Sequence, residues 1–277
     1  MIKKIAFLIT LYCCNVILAQ DSVSINKKGV FHFASTRPSF SEGALLVPKG
    51  KAQVEIGSSY AYFKVAETHT ITHPTFHLKY GISKYFEFRI NGEAVTYKAP
   101  YYSVTGLKTI YIGMKLKMLD AKKYAPGSSF IGGLSASFIS TKNLRPKYVA
   151  PYFRILMEQF LPKNVGMVYN YGLVWNGEDA KPTYNFAVAT SYTKVLQNTS
   201  EKHHQFKYFF EAYLIYPHGE KFDARLNTGF SYLFNKYLQA DISVGAGLLK
   251  YSPRVIASAG LVARFPNKTK KETKEED

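Results

Sequence analysis

Long segments of this chain alternate polar and apolar residues, and this period of two places successive side chains on opposite faces of a β-strand. In residues 238–248 every second residue is apolar: Leu238, Ala240, Ile242, Val244, Ala246 and Leu248. The same alternation runs through residues 85–91, 164–175 and 224–232. Because a soluble β-sandwich alternates in the same way, the period predicts an all-β fold and leaves the class of that fold open.

The length of the alternating segments decides between the two classes. Several run for about ten residues or more, which a tilted strand needs to cross a bilayer and which exceeds the usual soluble strand. Twelve strands are predicted: 51–63, 69–80, 85–96, 106–118, 129–140, 149–160, 164–175, 182–192, 205–216, 224–232, 237–249 and 254–265. Loops are expected at 97–105 and 193–204. An even strand number is typical of single-chain bacterial barrels, so we expect a transmembrane antiparallel up-and-down β-barrel over residues 51–265.

The first fifty residues indicate export. Lys3 and Lys4 precede an apolar stretch that ends near Ala19, which favours a cleaved secretory signal peptide over residues 1–20; a retained anchor is the alternative. Both cysteines, Cys13 and Cys14, lie in that peptide, so the mature chain has no thiol for redox chemistry or metal binding. Residues 21–50 are expected to be a periplasmic segment leading into the barrel, and 21–36 is too short to form a plug.

Composition is consistent with a barrel in the outer membrane of a Gram-negative cell. The chain has 22 Tyr and 20 Phe but one Trp, and barrels place aromatic residues at both membrane interfaces. The formal charge is +17, yet an exported chain rarely meets nucleic acid, so none is expected as a partner. Outer-membrane lipid and a small-molecule solute are the expected partners. The charged residues 266–277 lack an apolar pattern and predict a disordered tail.

The last predicted strand carries a specific local pattern. Ser258, Gly260, Ala263 and Phe265 supply the polar, glycine, apolar and aromatic positions of a pattern that resembles the C-terminal signal read by the barrel-assembly machinery. Such a signal works by strand addition, in which an exposed edge pairs with the machinery before the barrel closes. We therefore expect that machinery as a further partner.

Several segments along the chain form a recognisable set. They are Arg37-Pro38, Leu46-Val47-Pro48-Lys49-Gly50, Gln53-Val54-Glu55-Ile56-Gly57, the hairpin from Leu78 to Arg89, Ile112-Gly113-Met114-Lys115-Leu116, and the closing segments from Leu226 to Phe265. Together they resemble one family of outer-membrane transporters, named for the MetA pathway of phenol degradation. The likeness covers about residues 37–265. The resemblance implies a barrel and suggests transport of small molecules, aromatic ones among them.

The polar face of the predicted strands supplies a charged lumen. Its candidate solute-pathway residues are Glu55, His77, Lys79, Glu87, Arg89, Lys115, Lys117, Arg154, Glu158, Lys207, Glu211, Arg225, Asp241 and Arg264, with His73 expected on the same face. The lumen of a twelve-stranded barrel is intermediate in width. Opposed charges can fill it with salt bridges, or line a constriction whose positive excess favours anions. Both interpretations stay open.

No catalytic or metal motif is present. His69, His73 and His77 recur every four residues, but on a strand each step spans about 13 Å, too far for one ion. A lipid-hydrolysing barrel needs a serine beside a histidine on its outer face, and the outward set Ser58, Thr190 and Thr228 has no histidine in a neighbouring strand. We therefore predict a passive channel that has no cofactor and is not an enzyme. The alternatives are a structural or adhesive barrel and a lipid-modifying barrel enzyme.

Overall fold

The computed structural model describes residues 30–122, 125–198 and 203–265, and within them the chain is almost entirely β-sheet. The strands are β1 (Ala52–Phe63), β2 (Thr68–Gly81), β3 (Phe86–Ala99), β4 (Tyr102–Leu107), β5 (Ile110–Leu119), β6 (Gly127–Ala136), β7 (Pro151–Leu161), β8 (Val165–Trp175), β9 (Pro182–Asn198), β10 (His203–Pro217), β11 (Asp223–Asn235), β12 (Leu238–Gly247) and β13 (Val255–Phe265). The predicted signal peptide 1–20 and tail 266–277 lie outside the described residues.

The sheet closes on itself. β1 pairs with β2 on one side and with β13 on the other, in antiparallel register from Ala52 opposite Phe265 to Tyr62 opposite Val255. Gly57 and Gly260 face each other across this seam. β4 and β5 pair with successive parts of β3, so together they form one stave of the barrel. The barrel therefore has twelve antiparallel staves, as predicted.

The distribution of buried and exposed side chains is the reverse of that in a soluble protein. Large apolar side chains are exposed on the outer wall, for example Ile112 at 41% and Leu261 at 55%, whereas the inward side chains of Glu55 and Glu211 are fully buried. A polar lumen inside an apolar outer band is the pattern of a barrel surrounded by lipid, where an outward charge costs about 2–4 kcal/mol at the midplane. No helix among the described residues is long and apolar enough to span a membrane.

The two predicted loops are largely strand. Residues 97–105 form the hairpin of β3 and β4, whose last pair is Ala99 opposite Tyr102. At 193–204, β9 continues to Asn198 and β10 begins at His203, so only residues 199–202 remain, and these lie outside the described part. Both predictions were wrong because strand pairing continues through polar residues near the ends of the staves. In the other direction, β6 ends at Ala136 and two short 3-10 turns follow.

A β-bulge in β2 changes the facing of its histidines. The register between β2 and β3 shifts between Thr72 and Thr75, where an added residue moves later side chains to the opposite face. His73 is consequently exposed on the outer face, where its Nε2 lies 3.1 Å from Thr96 Oγ1. The expectation that His73 shares the lumen face with His77 was therefore wrong, and His73 lies on the strand next to that of Ser58.

Candidate functional site

Residues 30–50, here called the inner loop, lie inside the barrel. The loop enters at the terminus-side mouth, the end at which β1 begins and β13 ends, where Gln53 Nε2 donates to Ala34 O over 2.7 Å. It reaches the middle of the lumen at Phe40, whose ring stacks on Tyr213 with centroids 4.4 Å apart. It then returns to the same mouth, where Lys49 bridges to Gly81 before β1 starts.

Four glutamates of the wall accept hydrogen bonds from backbone amides of the inner loop. The pairs are Thr36 N to Glu55 at 3.1 Å, Phe40 N and Ser41 N to Glu211 at 2.8 and 2.9 Å, Ala44 N to Glu158 at 2.8 Å, and Val47 N to Glu87 at 2.6 Å. A buried backbone amide needs a partner, and residues 36–47 of the loop pair with no strand in the described part of the chain. The carboxylates of the wall take that role.

Donors of the wall bind the carbonyl oxygens of the same loop. Lys115 Nζ donates to Gly43 O at 2.7 Å and to Leu45 O at 2.8 Å. Arg154 donates to Phe40 O at 3.1 Å. The loop is thus held from both of its hydrogen-bonding sides by side chains of the barrel.

Buried ion pairs join the loop to the wall at two further points. Glu42 accepts from Arg89 and from Lys115, each at 2.8 Å, and its side chain is 5% exposed. Arg37 lies 3.1 Å from Asp241. Removing one member of a buried pair leaves an uncompensated charge, which costs about 3–5 kcal/mol. These pairs therefore specify the position of the loop.

The seam of the barrel makes room for Arg37. A Cβ atom added at Gly57 or at Gly260 would lie 2.2 Å from the nearest atom of the Arg37 guanidinium group. Only glycine leaves enough space for the arginine to pass beside both strands. The glycine of the predicted assembly pattern, Gly260, therefore also contacts the inner loop.

The structure places the predicted lumen residues on the inner face, but it does not leave most of them free to line a path. Glu55, Glu87, Arg89, Lys115, Arg154, Glu158, Glu211 and Asp241 bind the inner loop, and Lys79 pairs with Glu55 at 2.5 Å. Arg264 donates to Gln53 at 3.0 Å, and His77 is half-buried beside this group. Lys117 and Arg225 pair locally with Asp120 and Asp223. Lys207 is exposed. Their role in a solute pathway stays a prediction.

The N-terminal segment requires a correction. We expected residues 21–50 to be a periplasmic lead-in, yet residues 34–47 contact the wall inside the lumen. Glu42 and Arg37 are not among the predicted site residues, because no strand period marks them. The sequence did contain one indication of the loop: several carboxylates were assigned to the lumen, and a buried carboxylate needs hydrogen-bond donors or a cation as a partner.

A cavity of about 120 Å³ lies between the inner loop and the wall near the terminus-side mouth. Its lining includes His32 and Phe33 from the loop, and Phe160, Gln205 and Lys207 from the wall. The His32 ring packs 4.1 Å from that of Phe160. Burial, and secondarily the charge of Lys207, lowers the pKa of His32 to about 4. His32 is therefore neutral near pH 7.

Comparisons with known proteins agree with this architecture. Residues 35–265 match the family described as "Putative MetA-pathway of phenol degradation". The chain belongs to this family. A comparison with curated protein sequences gives no match.

Among the described residues, no group of three or more histidine, cysteine or acidic side chains is placed to hold a metal ion.

Two solved structures resemble the fold of this family member. One is a crystal structure of an outer membrane channel from Pseudomonas putida F1, with a TM-score of 0.56 at 10% identity, covering 80% of this chain and 98% of that one. The other is the β domain of the Bordetella autotransporter Brka, with a TM-score of 0.51 at 11% identity, covering 78% of this chain and 100% of that one. The fold is that of an outer-membrane barrel.

Proposed function

We propose that this chain is an outer-membrane channel that lets small solutes cross passively, through a lumen narrowed by the inner loop. The observation that carries this proposal is how the loop is held. Between residues 36 and 47 its backbone is bound by side chains such as Glu211 and Lys115 and not by strand pairing, so release of the loop would leave the pairing of the wall intact and open a polar path through the lumen.

The chemistry of the lumen supports small polar or anionic solutes. Charged and amide side chains face inward over much of the barrel, and Lys207 is an inward lysine with no carboxylate partner among the described residues. An excess of fixed positive charge in a narrow pore favours anions. The similarity to an outer membrane channel from Pseudomonas putida F1 also supports a channel.

A second candidate is a structural barrel without transport. The observation that favours it is the density of contacts across the middle of the lumen, where Glu42 pairs with two cations and Arg37 pairs with Asp241. A loop held this firmly would stop conduction if it never moved.

Planar bilayer recording of the refolded chain separates the two candidates. We expect open events and, under a salt gradient, a reversal potential of the sign that indicates anion preference. A cation-selective reversal potential would remove the anion preference but keep the channel. An absence of open events in every condition, together with no swelling of liposomes, would leave the structural barrel.

Three further expectations belong to the same proposal. The chain is exported through a cleaved signal peptide, is inserted by the barrel-assembly machinery through Ser258, Gly260, Ala263 and Phe265, and is not an enzyme. A lipid-hydrolysis assay on the refolded sample tests the last point, and hydrolysis that is lost in Ser58→Ala would contradict it. Gel mobility before and after boiling checks that each sample is folded.

A further inference from the structure

The cavity near the terminus-side mouth contains one cation that forms no ion pair among the described residues. Two carboxylates line it, and both are engaged: Glu42 by Arg89 and Lys115, and Glu158 by the backbone amide of Ala44. Three cations line it. Arg37 is paired with Asp241 and Lys115 with Glu42, whereas Lys207 has no carboxylate within 4.0 Å in the described part of the chain. Lys207 is therefore the cation of this lining that pairs with no described carboxylate, and Glu158 is the carboxylate that pairs with no described cation.

Two amide groups that line the same cavity as Lys207 also have unused donors. Gln205 and Gln239 line the cavity and are 3% and 5% exposed, yet the side-chain nitrogen of each has no hydrogen-bond partner among the described residues. Gln205 on β10 and Gln239 on β12 lie at the same level of the sheet, because each is paired with Leu233 of the intervening strand β11. Lys207 follows Gln205 by two residues on β10, so the two side chains lie on the same face of the strand. A buried donor without a partner is costly, so this arrangement favours an acceptor from outside the chain.

The lining also contains several aromatic side chains. Phe33 and His32 come from the inner loop, and Phe160 and Phe209 from the wall. The His32 imidazole packs against Phe160 with centroids 4.1 Å apart, and Arg264 lies 4.1 Å above the ring of Phe33. Such walls accept a flat apolar body through ring contacts.

We infer that this cavity is a binding site for a small organic carboxylate that carries a flat apolar group. Lys207 binds the carboxylate by charge, Gln205 and Gln239 donate hydrogen bonds to its oxygens, and the aromatic side chains contact its apolar part. The inference deepens the proposed function, since the bound molecule would be a solute of the channel. The binding itself requires no conduction.

Equilibrium binding of benzoate to the refolded full-length chain in detergent, measured by calorimetry or ligand-observed NMR, tests the site. We expect saturable binding, with benzamide at least about tenfold weaker because it lacks the charge that Lys207 recognises. Lys207→Gln should weaken benzoate binding by about tenfold or more, and Lys207→Arg should retain most of it. Lys221→Gln, a lysine in the loop between β10 and β11 at the other mouth, is the matched control and should bind as the native chain does.

Each outcome is decisive. Equal binding of benzoate by the native chain and by Lys207→Gln would overturn the site, as would equal binding of benzoate and benzamide. Heat-modifiable gel mobility shows that each variant is folded, and if Lys207→Gln is not, Gln205→Leu replaces it with the same expected loss. A chain that conducts ions but binds no benzoate would keep the channel and remove the site. A chain that binds benzoate but never conducts would do the reverse.

Discussion

The inner loop and the wall of the barrel are both extended chain, but their backbones are satisfied in different ways. In the wall, each strand pairs with its neighbours, as from Gln205 opposite Leu233 to Ile215 opposite Asp223 between β10 and β11. In the loop, amides and carbonyls are bound by side chains such as Glu211 and Lys115. The wall therefore depends on backbone pairing, which needs no particular side chain at each pair, and the loop depends on a few specific residues.

This difference predicts that the stability of the closed barrel and the docking of the inner loop can be changed independently. Changing a side chain of the wall that faces lipid should alter the stability of the barrel and leave the loop in place. Changing a side chain that binds the loop should release it and leave the barrel closed, because water can solvate the inward charges once the loop has gone.

The largest expected effect is at Glu42. Glu42→Ala leaves Lys115 without a carboxylate and Arg89 with Glu87 alone, so docking of the loop should weaken by about 3–5 kcal/mol. We expect a larger single-channel conductance and faster protease cleavage within residues 30–50, with unchanged heat-modifiable mobility.

Glu178→Ala is the control for that experiment, because Glu178 pairs with Lys147 in exposed loops at the other mouth. Its conductance and cleavage should equal those of the native chain. If Glu42→Ala behaves in the same way as this control, the ion pairs do not hold the loop.

A smaller effect is expected on the outer wall. Ile112→Lys places a charge in the lipid-facing band and should lower the free energy of unfolding in phospholipid vesicles by about 2–4 kcal/mol. Ile112→Leu keeps the apolar surface and serves as the control. The cleavage rate of the inner loop should be the same in both, and an increase confined to Ile112→Lys would show that wall and loop are coupled.

The smallest effect is the pH dependence of loop docking. The pKa of His32 falls from 6.5 to about 4 through burial and the charge of Lys207. Above pH 6.5 the imidazole is neutral whether the loop is docked or released. Between 6.5 and 4, a released His32 binds a proton that the docked one does not, so docking should weaken as the pH falls. The full shift corresponds to about 2 kcal/mol at about pH 5, and because His32 is exposed, solvent screening reduces the expected effect to the order of 1 kcal/mol.

Hydrogen exchange of residues 30–50 at about pH 7 and about pH 5 measures this change. His32→Phe keeps a ring against Phe160 but cannot bind a proton, so its exchange should lose that part of the pH dependence. An identical pH response in the native chain and in His32→Phe would show that His32 does not control docking.

The sequence predicted the wall well, because period two is a local property of a strand. The twelve staves and the closing strand, β13 (Val255–Phe265), are confirmed, and the family is confirmed by the match over residues 35–265. The predicted inward or outward direction of a side chain was wrong where a bulge interrupts the two-residue alternation. His73 lies at a bulge, and Pro74 beside it was the available signal, since proline inside a strand often marks one.

The inner loop could not be predicted from local pattern. Its partners are far away in the chain, as for Phe40 and Glu211, which are 171 residues apart. Nothing in residues 30–50 repeats with the period of a strand or a helix. The site depends on which distant side chains the closed barrel brings together, and that information exists only once the staves are in register.

Gly57 and Gly260 make the packing of Arg37 depend on the register between β1 and β13. Arg37 fits only while these two residues lie opposite one another, because a side chain at either would occupy the place of its guanidinium group. If β13 slid by two residues along β1, inward and outward faces would be preserved, but Ser258 or Val262 would lie opposite Gly57. The arginine would then be displaced from Asp241. Correct joining of the first and last strands and correct seating of the N-terminal segment are thus a single geometric condition, which an alternative closure of the barrel cannot meet.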